Sequence, residues 1–401
     1  MTYNLINTLP NTLKHASKLV AYQEGASGLS ASRLIQDTGT CLLPKATFSR
    51  SKADLAENTF LEVSENCIVY LGPAVIGEKC ARQIFSKNLS SQEKELIAKS
   101  VKDLNKLAPQ VKNKILPIKA AIALTAMIIP LAEFSLSYLK NLFTLKVFKK
   151  SDFQNIASLE KNEENKEQQN KVRNSAKGKI ALAGTVYAGL LAISALLATA
   201  GKKSKSLQYF SEFILNPGEK LFKNNSKKSN FVNKYFSQDF NSEKGKLVLS
   251  KGQLTTCVTI GGLGYFGASA DRGKENLLET ASRFPLVGFY IITGGELFEK
   301  GFKKLLNRFN KCQDVINTDL TSPSFKELEN RAKTLTNNKE DAAKLFKKYA
   351  KQKVLVSGVP YIFGIGVMGF FVAGMTNYFT KRRHNKSFSQ ENMSNQNVQS
   401  K

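Results

Sequence analysis

Apolar residues along this chain are gathered into blocks, and Lys, Asn, Glu and Ser fill the intervals between them. Residues 180–201 are 22 uncharged residues, about 33 Å of helix, and Lys179 and Lys202 bracket them. Residues 354–380 are 27 uncharged residues followed by a basic cluster at 381–383. A soluble core helix rarely lacks charge over such a length, because its outer face normally meets water. We therefore predict that both runs span a membrane.

Three further apolar blocks are less uniform. Residues 252–270 are 19 uncharged residues rich in Thr and Gly, and these residue types reduce the free energy gained when the segment inserts into a bilayer. Residues 115–139 are apolar except for Lys119 and Glu133, and each charge costs about 2.5–3.5 kcal/mol at the bilayer centre. Within 284–298 only 12 residues are uncharged in a row, a length that suits a re-entrant segment as well as a short span. The sequence thus predicts four spans and one ambiguous segment.

The polar intervals complete an all-α expectation. Residues 1–50 have few periodic apolar positions and are expected to be loosely structured, and the polar tail 381–401 is expected to be disordered. Residues 51–114 repeat apolar positions every three or four residues after possible capping boxes at Ser51 and Ser90, which predicts amphipathic helices. Residues 115–380 form the membrane region. The fold class is a multi-span helical membrane protein with about four or five hydrophobic helices and lysine-rich amphipathic connectors.

The charge is strongly basic, at +27, and 49 of the 59 basic residues are lysines. Residues 202–251 interleave lysines with aromatic rings, a pattern that suits anionic lipid headgroups or single-stranded nucleic acid. Predicted spans lie on both sides of this interval, which favours the membrane over nucleic acid. The expected partners are therefore the lipid bilayer, with its anionic headgroups, and proteins that bind the amphipathic helices.

The sequence offers no catalytic, cofactor or metal constellation. The two histidines, His15 and His384, lie in polar end segments, and the cysteines form no ligand pairs. A GxGxxG pattern at 262–267 fits a dinucleotide-binding turn, but it recurs at 364–369 inside a predicted span. A simpler interpretation of the glycines in both patterns is that they permit close packing of helices. The sequence therefore gives no support for enzymatic activity. The small residues suited to close helix packing are Gly184, Ala188, Ala192, Gly369 and Ala373.

Charges beside apolar segments are the remaining candidates for function. Glu133, Arg283 and Glu296 are predicted to be intramembrane or interfacial charges, and the cluster from Asp271 to Arg283 could form a proton relay or a solvated connector. The predicted role is that of a structural protein or an interaction partner in the membrane. A transporter or channel subunit is the alternative, and a basic soluble nucleic-acid binder is a third, less favoured one. The first thirty residues lack an apolar run of seven, so we expect a multi-pass protein without a cleaved signal peptide.

Overall fold

The chain is helical throughout the part that a computed structural model describes, which comprises residues 5–24, 38–160, 163–240, 242–243, 246–247 and 250–399. The exception is a minimal antiparallel ladder of β1 (Ser242–Glu243) and β2 (Lys246–Leu247). The predicted all-α class is therefore confirmed.

The helices in the first half of the chain are α1 Asn11–Glu24, α2 Leu43–Thr47, α3 Lys52–Gly72, α4 Gln83–Phe85, α5 Ser91–Leu96, α6 Val101–Leu104, α7 Pro109–Thr125, α8 Ile128–Phe148, α9 Phe153–Ile156 and α10 Lys166–Ala200. Those in the second half are α11 Lys205–Leu215, α12 Pro217–Leu221, α13 Ser226–Phe236, α14 Lys251–Ala270, α15 Lys274–Phe289, α16 Gly295–Arg308, α17 Phe325–Thr334, α18 Lys339–Phe363 and α19 Val372–Gln399. Short 3₁₀ turns lie at Leu5–Thr8 and Gln313–Val315, and π-helical segments lie at Thr38–Leu42, Pro73–Arg82, Tyr290–Gly294 and Gly364–Phe371.

Several helices begin where the sequence places a capping residue. At α5 the Ser90 hydroxyl accepts the Glu93 N–H at 3.3 Å, and the Glu93 carboxylate accepts the Ser90 N–H at 2.9 Å, which completes the expected capping box. The Ser51 hydroxyl accepts the Asp54 N–H at 3.1 Å ahead of α3. These contacts satisfy N–H groups that the first helical turn leaves without partners.

Three helical stretches of the described chain are long and apolar enough to cross a membrane, fewer than the four or five predicted: Pro109–Phe148, Lys166–Ala200 and Lys339–Lys386. The first contains the predicted span 115–139, which a turn at Ala126–Met127 divides between α7 and α8. The predicted span 252–270 forms α14 but is not among the three, because its Gly, Thr and Gln lower its hydropathy. Segment 284–298 is also not among the three, because Arg283 and the charged start of α16 border its short uncharged run.

The chain divides into two compact units, and the larger comprises residues 42–288 and 373–401. Its central helix is α8, which packs against α3, α10 and α14, while α7 packs against α10 and α11. The apolar core around α7 consists of fully buried side chains, among them Ile97, Leu104, Ile115, Ile122 and Leu197. Burial of such side chains contributes about 1.5–3 kcal/mol each, so the core holds α7 within the unit.

Glycines bring α14 close to α8. A Cβ atom at position 264 would lie 2.7 Å from the Phe134 Cα, and one at position 267 would lie 2.1 Å from the Tyr138 hydroxyl. Both distances are far below van der Waals contact. The clash at position 264 is with backbone atoms, so only glycine permits this separation of the helices there, whereas a Cβ at position 267 would displace the Tyr138 side chain. The glycines of the 262–267 pattern thus serve helix packing, and they lie inside a helix rather than in the turn after a strand that nucleotide binding requires.

The smaller unit comprises residues 1–41 and 289–372. Its core joins α1, α17 and α18 with the 3₁₀ turns through buried side chains that include Leu5, Val315, Leu328, Phe346 and Ala350. The rings of Phe298 on α16 and Phe363 on α18 stack at a centroid separation of 3.8 Å. This packing gives the smaller unit an apolar core of its own.

Two end segments contain helices that their sequences did not predict. The described part of segment 1–50 contains α1, α2 and the π-helical turn Thr38–Leu42. Helix α19 extends to Gln399, into the segment 381–401 that was expected to be disordered, as a continuation of the apolar residues that begin at Val372. The long helix therefore continues beyond its apolar part.

Candidate functional site

The central helix α8 carries one polar face in an otherwise apolar sequence. Glu133, Ser137, Lys140 and Thr144 recur every three or four residues, and each is at most 8% exposed. This spacing places them on one side of the helix. Helix α3 presents a similar series to α8 with Glu57 and Glu65, so charged groups meet inside the larger unit.

A buried ion pair joins α3 to the end of α14. The Arg272 guanidinium donates to Glu57 Oε2 at 2.7 Å, and the two residues are 1% and 3% exposed. The Thr144 hydroxyl donates to the same oxygen at 2.7 Å, and Lys140 Nζ lies 3.6 Å from the other. A carboxylate with three such partners is satisfied despite its burial, which fixes α3, α8 and the α14–α15 junction relative to one another.

A second group of charges continues this network toward α15. Arg50 donates two hydrogen bonds to the Glu279 carboxylate at 2.8 and 2.9 Å in a bidentate arrangement. Its backbone N–H donates to Asp54 Oδ2 at 2.9 Å, and its guanidinium lies 5.0 Å from the centre of the Phe153 ring. Bidentate pairs of this kind combine strong attraction with a fixed orientation. We use "buried charge network" for Arg50, Asp54, Glu57, Lys140, Arg272 and Glu279.

The buried charge network balances three cations against three carboxylates. Burial alone raises the pKa of Glu57, but Arg272 and Lys140 together lower it below the ordinary value of a glutamate. Burial raises the pKa of Asp54 in spite of the opposing effect of Arg50. Burial lowers the pKa of Arg50, whereas Glu279 and Asp54 raise it to a net value above the ordinary one. The network therefore favours the charged form of Glu57 more than that of Asp54.

Glu133 lies at the other end of the same face, outside the network of ion pairs. It is 7% exposed, and its Oε2 would lie 2.9 Å from a Cβ atom at Gly261. No donor in the described part of the chain hydrogen-bonds its carboxylate, while the Glu65 carboxylate is close enough to repel it. Glu65 itself accepts a hydrogen bond from the Tyr265 hydroxyl at 2.7 Å. Two neighbouring carboxylates with one hydroxyl can hold a proton or a small cation.

The other charges predicted from sequence occupy different surroundings. Arg283 on α15 is partly exposed, and Glu296 on α16 in the smaller unit forms a half-exposed ion pair with Lys300 at 2.6 Å. From the predicted cluster that begins at Asp271, Arg272 and Glu279 enter the buried charge network.

The small residues proposed for helix packing also divide into two groups. Gly184, Ala188 and Ala192 lie on the exposed side of α10, with no side chain near the position of a Gly184 Cβ. Gly369 and Ala373 are buried. Only the second group is enclosed within the described structure.

Sequence reasoning missed Glu57 and Glu65 as members of the site. The signal was present, because acidic residues at 54, 57, 62 and 65 follow a helical period within a segment already predicted to be an amphipathic helix. The partners Thr144 and Arg272 of Glu57 lie 87 and 215 residues away along the chain, and Glu133 is also distant from Glu65, so no local pattern could show that these residues face other charges.

Comparison with known proteins adds no functional assignment, since no family model, no curated protein and no solved structure matches this chain. Among the described residues no group of three His, Cys, Asp or Glu side chains could hold a metal ion. The geometry of the site is therefore the basis for any functional argument.

Proposed function

We propose that this chain is an integral membrane protein with a structural or interaction role at an anionic membrane. The observation that carries the proposal is the exposure of α10. Only 17% of its most apolar 18-residue window is buried, and Leu182, Val186 and Leu196 are 45–53% exposed. Monomeric soluble proteins rarely expose a continuous apolar surface of this length, whereas a helix in contact with lipid does so throughout.

The residues that follow α10 support an interface with lipid headgroups. Lys202 and Lys203 come directly after the helix, and α11 then exposes the rings of Tyr209, Phe210 and Phe213 by 38–56%. Aromatic rings and lysines favour the headgroup region, where the rings sit at the apolar boundary and the ammonium groups meet anionic phosphates. This sequence of features is typical of a membrane helix that leaves the bilayer.

An alkaline carbonate wash tests the proposal on membranes that contain the full chain. We expect the chain to remain in the pellet, because carbonate removes proteins held by charge and leaves spanning helices in place. Leu191→Lys adds a charge near the middle of the apolar stretch 180–201 at a cost of about 2.5–3.5 kcal/mol, so this variant should be retained less completely. Asn174→Lys adds the same charge at the exposed polar start of α10 and should behave as wild type. Release of the wild-type chain would refute the proposal.

Transport of protons or cations is a second candidate function, and Glu133 is the observation that favours it. A buried carboxylate without a hydrogen-bonding donor, on a helix apolar enough to span a membrane, is a typical site of ion passage. Vesicles that contain the chain and a pH-sensitive dye would report proton flux under an imposed pH gradient. Glu133→Gln should abolish the flux, while Glu296→Gln should not alter it. Equal flux in vesicles with and without the protein would rule this candidate out.

A further inference from the structure

A cavity of about 500 Å³ opens in the larger unit between the start of α6, the α11–α13 region and the start of α14. The polar side chains of its wall include those of Lys102, Asn216, Asn230, Asn233, Lys234 and Lys251. We call this cavity the lysine pocket. Its lining supplies ammonium and amide donors from four separate parts of the chain, which suits an anionic ligand.

The lysine pocket has a positive excess because its one carboxylate is already engaged. Asp239 Oδ1 pairs with the buried Lys119 Nζ at 2.9 Å, and Asp239 Oδ2 accepts the Val101 N–H at 2.9 Å. In contrast, Lys102 and Lys234 have no carboxylate within ion-pair distance in the described part of the chain. Two ammonium groups therefore remain available to a ligand.

Two further features direct donors into the lysine pocket. Asn216 lines it, is only 7% exposed and has no hydrogen-bond partner for its side-chain amide among the described residues. The 20-residue helix α14 begins at the wall, where a Cβ on Gly252 would lie 1.9 Å from the Ser237 carbonyl oxygen. This glycine lets the start of α14, which the Ser250–Gln253 capping box closes, pack against the Ser237 backbone in the wall of the cavity. The positive end of the helix dipole therefore lies beside the cavity, and such helix ends favour phosphate.

We propose that the lysine pocket binds a phosphate group, carried either by an anionic lipid headgroup or by a soluble phosphate compound. A phosphate oxygen accepts hydrogen bonds from ammonium and amide donors, which the pocket offers, and the helix dipole of α14 adds electrostatic attraction. The lipid source deepens the role proposed above and rests on it, whereas binding of a soluble phosphate does not.

Thermal unfolding of the full chain in a neutral detergent tests this proposal. The probes are inorganic phosphate and dioctanoyl phosphatidic acid, each titrated at constant ionic strength, with dioctanoyl phosphatidylcholine and potassium chloride as references. A ligand that binds the folded chain raises the unfolding temperature in a saturable way. Lys102→Gln combined with Lys234→Gln should raise the probe concentration needed for half-saturation by about tenfold or more. Lys171→Gln combined with Lys177→Gln removes the same charge on the exposed polar start of α10, outside the pocket, and should leave the half-saturating concentration unchanged.

The outcomes separate the two sources and the two proposals. Saturation by inorganic phosphate as well as by the lipid indicates a soluble ligand, and saturation by phosphatidic acid alone indicates a headgroup. Asn216→Asp places a negative charge in the wall and should abolish either response if the variant unfolds like wild type without a probe. No saturable shift with either phosphate probe, or equal weakening by both lysine pairs, would overturn the pocket proposal. Membrane insertion is judged separately, by the carbonate wash.

Discussion

The replacement Arg272→Met tests whether the buried charge network holds the larger unit together. Arg272 is 1% exposed and donates to Glu57 Oε2 at 2.7 Å. Met has a similar length and no charge, so the substitution removes the ion pair with little change in volume. Glu57 would then keep only Thr144 and the more distant Lys140, at 3.6 Å, as compensation.

The expected cost follows from the burial of the pair. Removal of one partner from a buried ion pair costs about 3–5 kcal/mol, because the other charge remains without compensation. Lys140 retains part of that compensation, so we expect a loss near the lower limit, about 3 kcal/mol. For a unit of this size such a loss corresponds to a fall in the unfolding temperature of roughly 6–10 °C.

Thermal unfolding in detergent measures this fall, and two variants provide the controls. Arg272→Lys keeps the charge but loses the planar guanidinium, so its effect should be clearly smaller. Lys300→Met removes a half-exposed pair with Glu296 that contributes about 0.3–0.5 kcal/mol, and the unfolding temperature should change by roughly 1 °C. If Arg272→Met were as mild as Lys300→Met, the network would not stabilise the fold and our reasoning would be wrong.

Three further predictions follow from single contacts. Gly264→Ala should lower the unfolding temperature, because its Cβ would clash with the Phe134 backbone, whereas Gly184→Ala lies at an open position in α10. Gly184→Ala should raise the unfolding temperature, because alanine is favoured over glycine inside a helix by up to about 1 kcal/mol. Equal shifts of the unfolding temperature in the two variants would contradict the packing. The pKa of Glu57 is lower in the folded chain than its ordinary value of 4.5, so its charge contributes stability above pH 4.5 that is lost as the pH falls through the folded-state pKa. The unfolding temperature should therefore fall less on acidification in Glu57→Gln than in the wild type. Lys119→Met should destabilise the unit by about 3 kcal/mol or more in the same assay, since it leaves Asp239 without its cation; a change within 1 °C would refute this.

Candidate spans could be predicted from sequence where the chain contains a long run of uncharged, apolar residues, as contact with lipid requires. Residues 180–201 are uncharged and most of them are not buried, which is the composition and exposure that a helix surrounded by lipid requires. The glycine-rich helix α14 illustrates the limit of this signal. Its sequence predicts a span as well as a buried helix, and only the contacts of Gly264 and Gly267 with α8 show that close packing against protein explains its composition.

The candidate site could be predicted only in part. Glu133 and Arg272 are visible in the sequence because they are charges within or beside apolar segments. The partner of Arg272 is not visible, because Glu57 lies 215 residues away and belongs to a helix whose polar positions also suit a solvated face. Periodicity gives the side of a helix on which a residue lies, and only tertiary contacts give what that side faces.

The two most apolar segments of the larger unit have the same hydropathy but opposite surroundings. The best window of Pro109–Phe148 is 72% buried and that of Lys166–Ala200 is 17% buried, although the mean hydropathy of both is 2.1. The charges in and beside this window account for the difference, because Lys119 inside it and Glu133 and Lys140 on the polar face of α8 just after it would each cost about 2.5–3.5 kcal/mol in contact with lipid. Helices α3 and α14 cover that face, and Glu57 neutralises Lys140. In the membrane arrangement that we propose, α10 is therefore the one of these two segments that contacts lipid, whereas the helices packed against α8 keep its charges away from lipid.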